Sequence, residues 1–215
     1  MMIAQVLAWL LCPLVLWLCW SKAGWRKLKS EKDYQHLVFG TTVLMCFLWA
    51  AKAGIREGLD LHFLGLAVLT LCHGARIAVW ICALLLGLLL MLNFIPLLDG
   101  GLFFLLAMVL PALFSYAVFW LSYRYLTHHL FVYIFVAGFF NAGFTLLLHQ
   151  GLVALWFLLG GLQPWETIWN DYLKLSLLMW FPESLLSGMA VTLMAIYRPQ
   201  WLRTFYDREY LSPER

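Results

Sequence analysis

An imidazole beside a hydrocarbon core is a metal ligand, a proton carrier or a satisfied helix-end group. This chain places two of them at the ends of one short apolar segment, His62 in Gly58–Gly65 and His73 in Leu71–Arg76. In a protein with so little polar chemistry, such residues are functional candidates by default. They are 11 residues apart, close to three helical turns, which puts them on one face of a helix but about 16 Å apart. One ion cannot touch both if the segment is helical, so each needs its own explanation. His62 is the candidate ligand. His73 sits at a polar, glycine-containing break and reads as structural.

A carboxylate raises the second chemical question. Glu183 follows Pro182 about 11 residues into the last apolar run, where an ionised side chain costs a few kcal/mol unless it meets a partner. Asn141, at similar depth in the preceding run, is one candidate partner. Glu183 is either a transport residue or a polar clamp, and residue types alone leave both open. His149 falls at a depth similar to that of His62 and is either a second imidazole or an interface histidine. His128 and His129 read as loop residues.

The elements that must position these groups are membrane helices. The chain is 64% hydrophobic and 12% charged over 215 residues, against about 25% charged in a soluble domain. The expected fold is therefore an all-α, polytopic membrane bundle of about seven spans. Residues 1–199 form one transmembrane domain and 200–215 a cytoplasmic tail. Met1–Trp20 is a retained span without a cleavage site. The spans that follow cover about 37–53, 61–73, 76–93, 102–123, 130–149 and 172–197. The apolar run 61–93 has 33 residues, about 50 Å as one helix and too long for a core of about 30 Å. It must break at His73-Gly74-Ala75-Arg76. Arg56, Glu57 and Asp60 form an outer loop, and Asn93–Gly101, with Pro96 and Asp99-Gly100-Gly101, an outer turn. Residues 152–162 continue as an overlong helix or lie at the interface, and Pro164–Asp171 is the last outer loop.

Charge sets the orientation. Seven spans place 11 of the 14 Lys and Arg on one side, which the positive-inside rule makes cytoplasmic, leaving the N-terminus outside. The five cysteines lie in or beside apolar runs with no C-x-x-C spacing, and read as small hydrophobes rather than a disulfide or zinc framework. No His-Glu-x-x-His, G-x-S-x-G or P-loop is present, so the chain does not read as an enzyme. Its basic residues flank spans and do not suggest a nucleic-acid partner.

Leu61-His62-Phe63-Leu64-Gly65, with the apolar stretch and glycine break behind it, resembles the His-Leu-Thr-Gly segment of the CbiM family. Asp99-Gly100-Gly101 is similar to that family's Asp-Gly-Gly turn. Pro111–Tyr116, Phe131–Phe135 and Phe181-Pro182-Glu183 resemble a bacterial branch of it. The resemblance implies a substrate-capturing membrane component of an energy-coupling-factor importer for cobalt or nickel in the bacterial inner membrane. Its partners would be a transmembrane coupling subunit and cytoplasmic ATPase subunits. Metal-binding members begin Met-His and use that imidazole and the N-terminal amine, whereas residue 2 here is Met2. The donors left for an ion at the outer face are His62, Asp99, His149 and Asp60, which suit cobalt or nickel and also zinc or copper. The alternative is a non-transporting membrane assembly or accessory protein with structural histidines.

Overall fold

The computed structural model describes residues 2–54 and 58–210. Met1, the loop residues Arg56 and Glu57, and residues 211–215 of the tail lie outside the described residues. The helices are α1 (Met2–Leu18), α2 (Lys22–Ser30), α3 (Lys32–Ala50), α4 (Leu66–His73) and α5 (Ala75–Met91). They are followed by α6 (Leu97–Tyr125), α7 (Leu130–Leu159) and α8 (Trp165–Tyr197). A 3-10 turn at Pro199–Trp201 leads to the short α9 (Asp207–Tyr210). Among the described residues there is no strand, only one antiparallel bridge between Ala53 and Leu61. Three helices, α6, α7 and α8, are long and apolar enough to cross a membrane, and a fourth span results if α1 and α2, bent by 76°, count as one.

The apolar run that follows His62 breaks where its glycine predicts. Gly74 adopts φ +75° between α4 and α5, a conformation that side chains with a Cβ rarely adopt. Its upstream part departs from expectation. Residues 61–65 are not helical, and α4 starts only at Leu66, after Gly65 at φ +63°. His62 and His73 therefore do not share a helix. At eight residues, α4 is about 12 Å long, and all its residues except Val68 are buried. It packs against α5, α6, α7 and α8, a position in which so short a helix is shielded from lipid.

Residues 93–96 form the expected turn, but the rest of that segment and most of 164–171 are helical. Asp99-Gly100-Gly101 lies in the first turns of α6, which Pro96 introduces in an extended conformation. The two glycines admit α1 at close range: a Cβ on Gly100 or Gly101 would lie 2.9 Å from Trp9. The Trp9 indole nitrogen donates to the Leu97 carbonyl at 3.0 Å. The segment 165–171 likewise begins α8 instead of forming a loop. For 152–162 the structure selects the overlong helix. The 30-residue α7 runs to Leu159, about 45 Å, and ends in a Schellman cap. There Leu162 N donates to Phe157 O at 3.0 Å and Gly161 N to Leu158 O at 3.1 Å, with Gly161 at φ +63°.

The far end of α4 is closed by the segment after α8. Arg203 N reaches Cys72 O and Thr204 N reaches Leu71 O, each at 3.3 Å. The Thr204 hydroxyl donates to Leu71 O at 2.9 Å, and Arg203 Nη1 to His73 O at 3.2 Å. Leu202, Phe205 and Tyr210 are buried beside Tyr133 of α7. The last carbonyls of α4, which have no helical donor, are thus satisfied within the protein.

Helices α7 and α8 make the most extensive pairing in the bundle, and small residues let them approach. Gly138, Ala142 and Gly143 of α7 are buried, as are Ser184, Ser187 and Gly188 of α8. This is the usual solution where lipid offers no hydrophobic drive for helix association. A Cβ on Gly143 would overlap Trp180 Nε1 and Ser184 Oγ, whereas one on Gly151 of the same helix meets nothing within 4 Å. Gly143→Ala is expected to destabilise the protein by about 1–3 kcal/mol through overpacking, and Gly151→Ala to leave it as stable or more so. Thermal unfolding of both variants in detergent measures this; equal unfolding temperatures would contradict the packing described.

Candidate metal-binding cavity

The site begins with a short non-helical segment held from both sides. Ala53 and Leu61 exchange backbone hydrogen bonds at 2.9 and 2.7 Å, which returns the chain after α3. Gly58 at φ +81° and Gly65 at φ +63° flank the turn back into the bundle. Leu64 N donates to Glu183 Oε2 and Gly65 N to Glu183 Oε1, each at 2.9 Å. The Leu64 carbonyl accepts from Trp49 Nε1 at 2.9 Å. Donor and acceptor of the same buried segment are therefore satisfied by side chains, one from α8 and one from α3. Its neighbour His62 is 7% exposed.

That segment brings His62 against His149, their ring centroids 5.5 Å apart and nearly perpendicular at 73°. Trp49 packs on both, at 4.5 Å from His62 and 6.0 Å from His149. Each imidazole uses Nδ1 on a backbone carbonyl: His62 on Phe63 O at 3.2 Å, His149 on Ala107 O at 2.9 Å. A carbonyl can only accept, so Nδ1 carries the proton in both rings and Nε2 keeps its lone pair. Ala107 lies in the wider-turned stretch Phe103–Val109, just ahead of Pro111, which has no N–H to give the helical ladder. A metal–imidazole bond is about 2.1 Å, so two rings sharing one ion have centroids roughly 4.5–6.4 Å apart. The observed separation lies inside that range.

Both rings line a cavity of about 570 Å³ at the end of the bundle carrying Gly58, Phe94–Pro96 and Leu162. Asp60 and Asp99 line it as well. Their carboxylates are already engaged, Asp60 with Lys52 and Asp99 with the Gln5 amide at 2.6 Å. Among the described residues no group of three or more His, Cys, Asp or Glu converges as a metal cluster. The four donors read from the sequence therefore share one cavity, and two of them, His62 and His149, are in contact. Met2 is 73% exposed, and α1 reaches the cavity through Gln5 instead. Two cavity residues escaped the sequence reading. Trp49 orients the His62 segment, and the buried Tyr172 hydroxyl has no hydrogen-bond partner among the described residues. Tyr172 opens the last predicted span, a position that read only as an aromatic at a helix end.

The remaining candidates have structural partners. Asn141 does not meet Glu183; it donates to Ser115 O, Ser115 Oγ and Ala137 O at 3.0–3.1 Å. His73 lies between Thr41 Oγ1 at 3.1 Å and the Tyr34 hydroxyl at 3.4 Å, away from the cavity. His128 meets the Tyr123 carbonyl at 2.8 Å, and His129 Nδ1 accepts from Phe131 N at 3.2 Å. All five cysteines are free.

Glu183→Gln keeps the shape of the clamp but replaces one acceptor oxygen with a donor, which orphans a buried amide at a cost of about 1–3 kcal/mol. Amide exchange across residues 62–66 should accelerate in this variant, with the unfolding temperature lowered. Unchanged exchange there would show that the clamp does not hold the segment.

No curated protein and no solved structure matches the chain. A family model described as the cobalt uptake substrate-specific transmembrane region matches residues 2–201, nearly the whole length. That family supplies the substrate-specific membrane component of cobalt/nickel energy-coupling-factor transporters and is not an enzyme family. The chain belongs to the CbiM family.

Proposed function

We propose that this protein captures a divalent transition metal, cobalt or nickel, in the cavity between His62 and His149. A transmembrane coupling subunit and cytoplasmic ATPase subunits would then power its passage. The observation that carries this reading is the pair of contacting imidazoles whose Nδ1 atoms are committed to Phe63 and Ala107 carbonyls. That commitment leaves both Nε2 atoms for a ligand, the arrangement in which histidine binds metals. His149 offers an imidazole where Met2 offers none. The chain contains no P-loop, so ATP hydrolysis belongs to partners. Zinc or copper fits the same donors, since sites of this kind follow the Irving–Williams order unless geometry selects. The alternative, an accessory membrane protein with structural histidines, draws support from the engagement of Asp60 and Asp99 by Lys52 and Gln5.

The two readings part on metal content. Removing one of two imidazole ligands should cost at least the roughly 10–100-fold that loss of a supporting contact costs. His62→Ala and His149→Ala are therefore expected to lose bound cobalt and nickel after purification, and cellular uptake of the labelled ions should fall with it. His73→Ala keeps its metal. Equal metal in wild type and His62→Ala would favour the accessory protein.

We further propose a multi-pass topology in the bacterial cytoplasmic membrane, in which α1, α3, α5, α6, α7 and α8 each cross and the segment 61–73, which ends in α4, makes the seventh passage inside the bundle. The cavity then opens outside, and α2 and the tail lie in the cytoplasm. Support comes from the basic residues of α2, which include Lys22, Arg26, Lys27 and Lys29, at the end away from the cavity. In a cysteine-free background, Glu166→Cys should react with an impermeant thiol reagent in intact cells and Ser30→Cys only after permeabilisation. The reverse pattern would invert the orientation, and labelling of both in intact cells would change the number of spans.

A further inference from the structure

We propose that the pocket between α2 and the segment after α8 is a headgroup site for an anionic phospholipid of the cytoplasmic leaflet. Its placement in that leaflet rests on the orientation proposed above, and it is independent of metal capture. The pocket has a volume of about 180 Å³, is lined by Gly24, Lys27, Tyr34, Gln200, Trp201 and Arg203 among others, and shares no residue with the metal cavity. Helix α2 turns 76° away from α1, so it runs near the membrane plane if α1 crosses. Its apolar side is spent on the protein: a Cβ on Gly24 would lie 2.4 Å from Ile77 Cδ1, and Leu28 packs on the core. Beside Gly24, Trp25 stacks on Trp20 at 5.1 Å, and Trp80 meets both edge-on at 5.3 and 5.7 Å. Indoles clustered at the end of a span mark headgroup depth, and Trp201 adds another in the pocket wall.

Two cations define the ligand. Arg203 extends over the Gly74 break, where its Nη1 donates to His73 O at 3.2 Å and its backbone N–H to Cys72 O at 3.3 Å. The remaining N–H donors of its guanidinium fork have no acceptor among the described residues. Lys27 lies 4.8 Å from the centre of the Tyr34 ring. The exposed Glu31 carboxylate is 3.7 Å from Lys27 Nζ, beyond hydrogen-bond reach. No Asp or Glu lines the pocket, so an arginine and a lysine from distant parts of the chain share one concavity without a carboxylate in its wall. A phosphodiester fits them, since its two unesterified oxygens carry one charge and match a guanidinium fork and an ammonium. The volume equals about six waters at roughly 30 Å³ each, room for a phosphate and its glycerol carbons while the acyl chains stay in the bilayer. Basic pockets on the cytoplasmic side of a bundle bind anionic headgroups in this way. A bound phosphate would join α2 to the segment that closes α4.

The full chain, washed free of lipid in detergent, tests this in mixed micelles with trace radiolabelled phosphatidylglycerol or phosphatidylcholine, recovered on an affinity tag. Phosphatidylglycerol should be retained at about one per protein, and phosphatidylcholine not. Lys27→Gln and Arg203→Gln should each weaken retention by about 10-fold, the effect of one charged hydrogen bond. Lys29→Gln removes the same charge from α2 outside the pocket and should leave retention unchanged. If Arg203→Gln unfolds, Lys27→Gln decides, because that side chain meets only Glu31 and Tyr34. Equal retention of both lipids, or of neither, would overturn the site. Equal loss in Lys29→Gln and Lys27→Gln would reduce it to diffuse attraction and overturn the pocket. Displacement of the lipid by an equal concentration of glycerol 3-phosphate would overturn the lipid in favour of a soluble phosphate. None of these outcomes depends on sidedness; lipid retained alongside an inverted thiol-labelling pattern would overturn only the cytoplasmic placement.

Discussion

The contact between the Glu183 carboxylate and the Leu64 and Gly65 amides governs the cavity end of this bundle. In hydrocarbon, a free backbone N–H and an isolated carboxylate are both costly, and each removes the other's penalty. Both amides precede the first turn of α4 and have no helical acceptor of their own. Glu183 is 1% exposed, and its two oxygens take one amide each. A negative group at this position also faces the positive end of the α4 dipole. The carboxylate therefore decides that residues 61–65 leave the helix, and this departure turns His62 towards His149.

The same constraint explains what the sequence left illegible. Gly74 announced the break between α4 and α5 because a glycine in an apolar run has few other uses. Gly65 gave no comparable signal, since its conformation depends on a carboxylate 118 residues away. Extrapolating helical periodicity back to Leu61 thus failed where a tertiary hydrogen bond replaced a local one. Glu183 stands out in the sequence as a costly residue, yet residue types point only to side-chain partners. A backbone amide carries no residue-type signature, and Asn141 proved to be occupied by Ser115 and Ala137.

The cavity was legible in outline. Depth along the spans placed His62, His149, Asp60 and Asp99 near one another, and all four line the same space. Depth does not report direction, so the engagement of the two carboxylates by Lys52 and Gln5 was invisible. Pro111 shows the opposite case. It reads as part of a motif, yet it stands one helical turn beyond the Ala107 carbonyl that fixes the His149 tautomer. Asp99-Gly100-Gly101 reads as a turn because glycine pairs usually form one. Here the missing side chains make room for Trp9, a packing role that composition cannot distinguish from a conformational one.

Helix α4 is attached at both ends to a single stretch of chain. Its leading amides are held by Glu183, and its trailing carbonyls by Arg203 and Thr204, which follow the same α8. The two segments form a closed mechanical ring, with a rod about 12 Å long as one side and the latter half of α8 as the other. A rod this short barely bends, so strain applied at Thr204 is delivered to Leu64 and relaxes only through the bonds at its two ends. The distance across the bundle is thereby reduced, in terms of stiffness, to the compliance of a few hydrogen bonds.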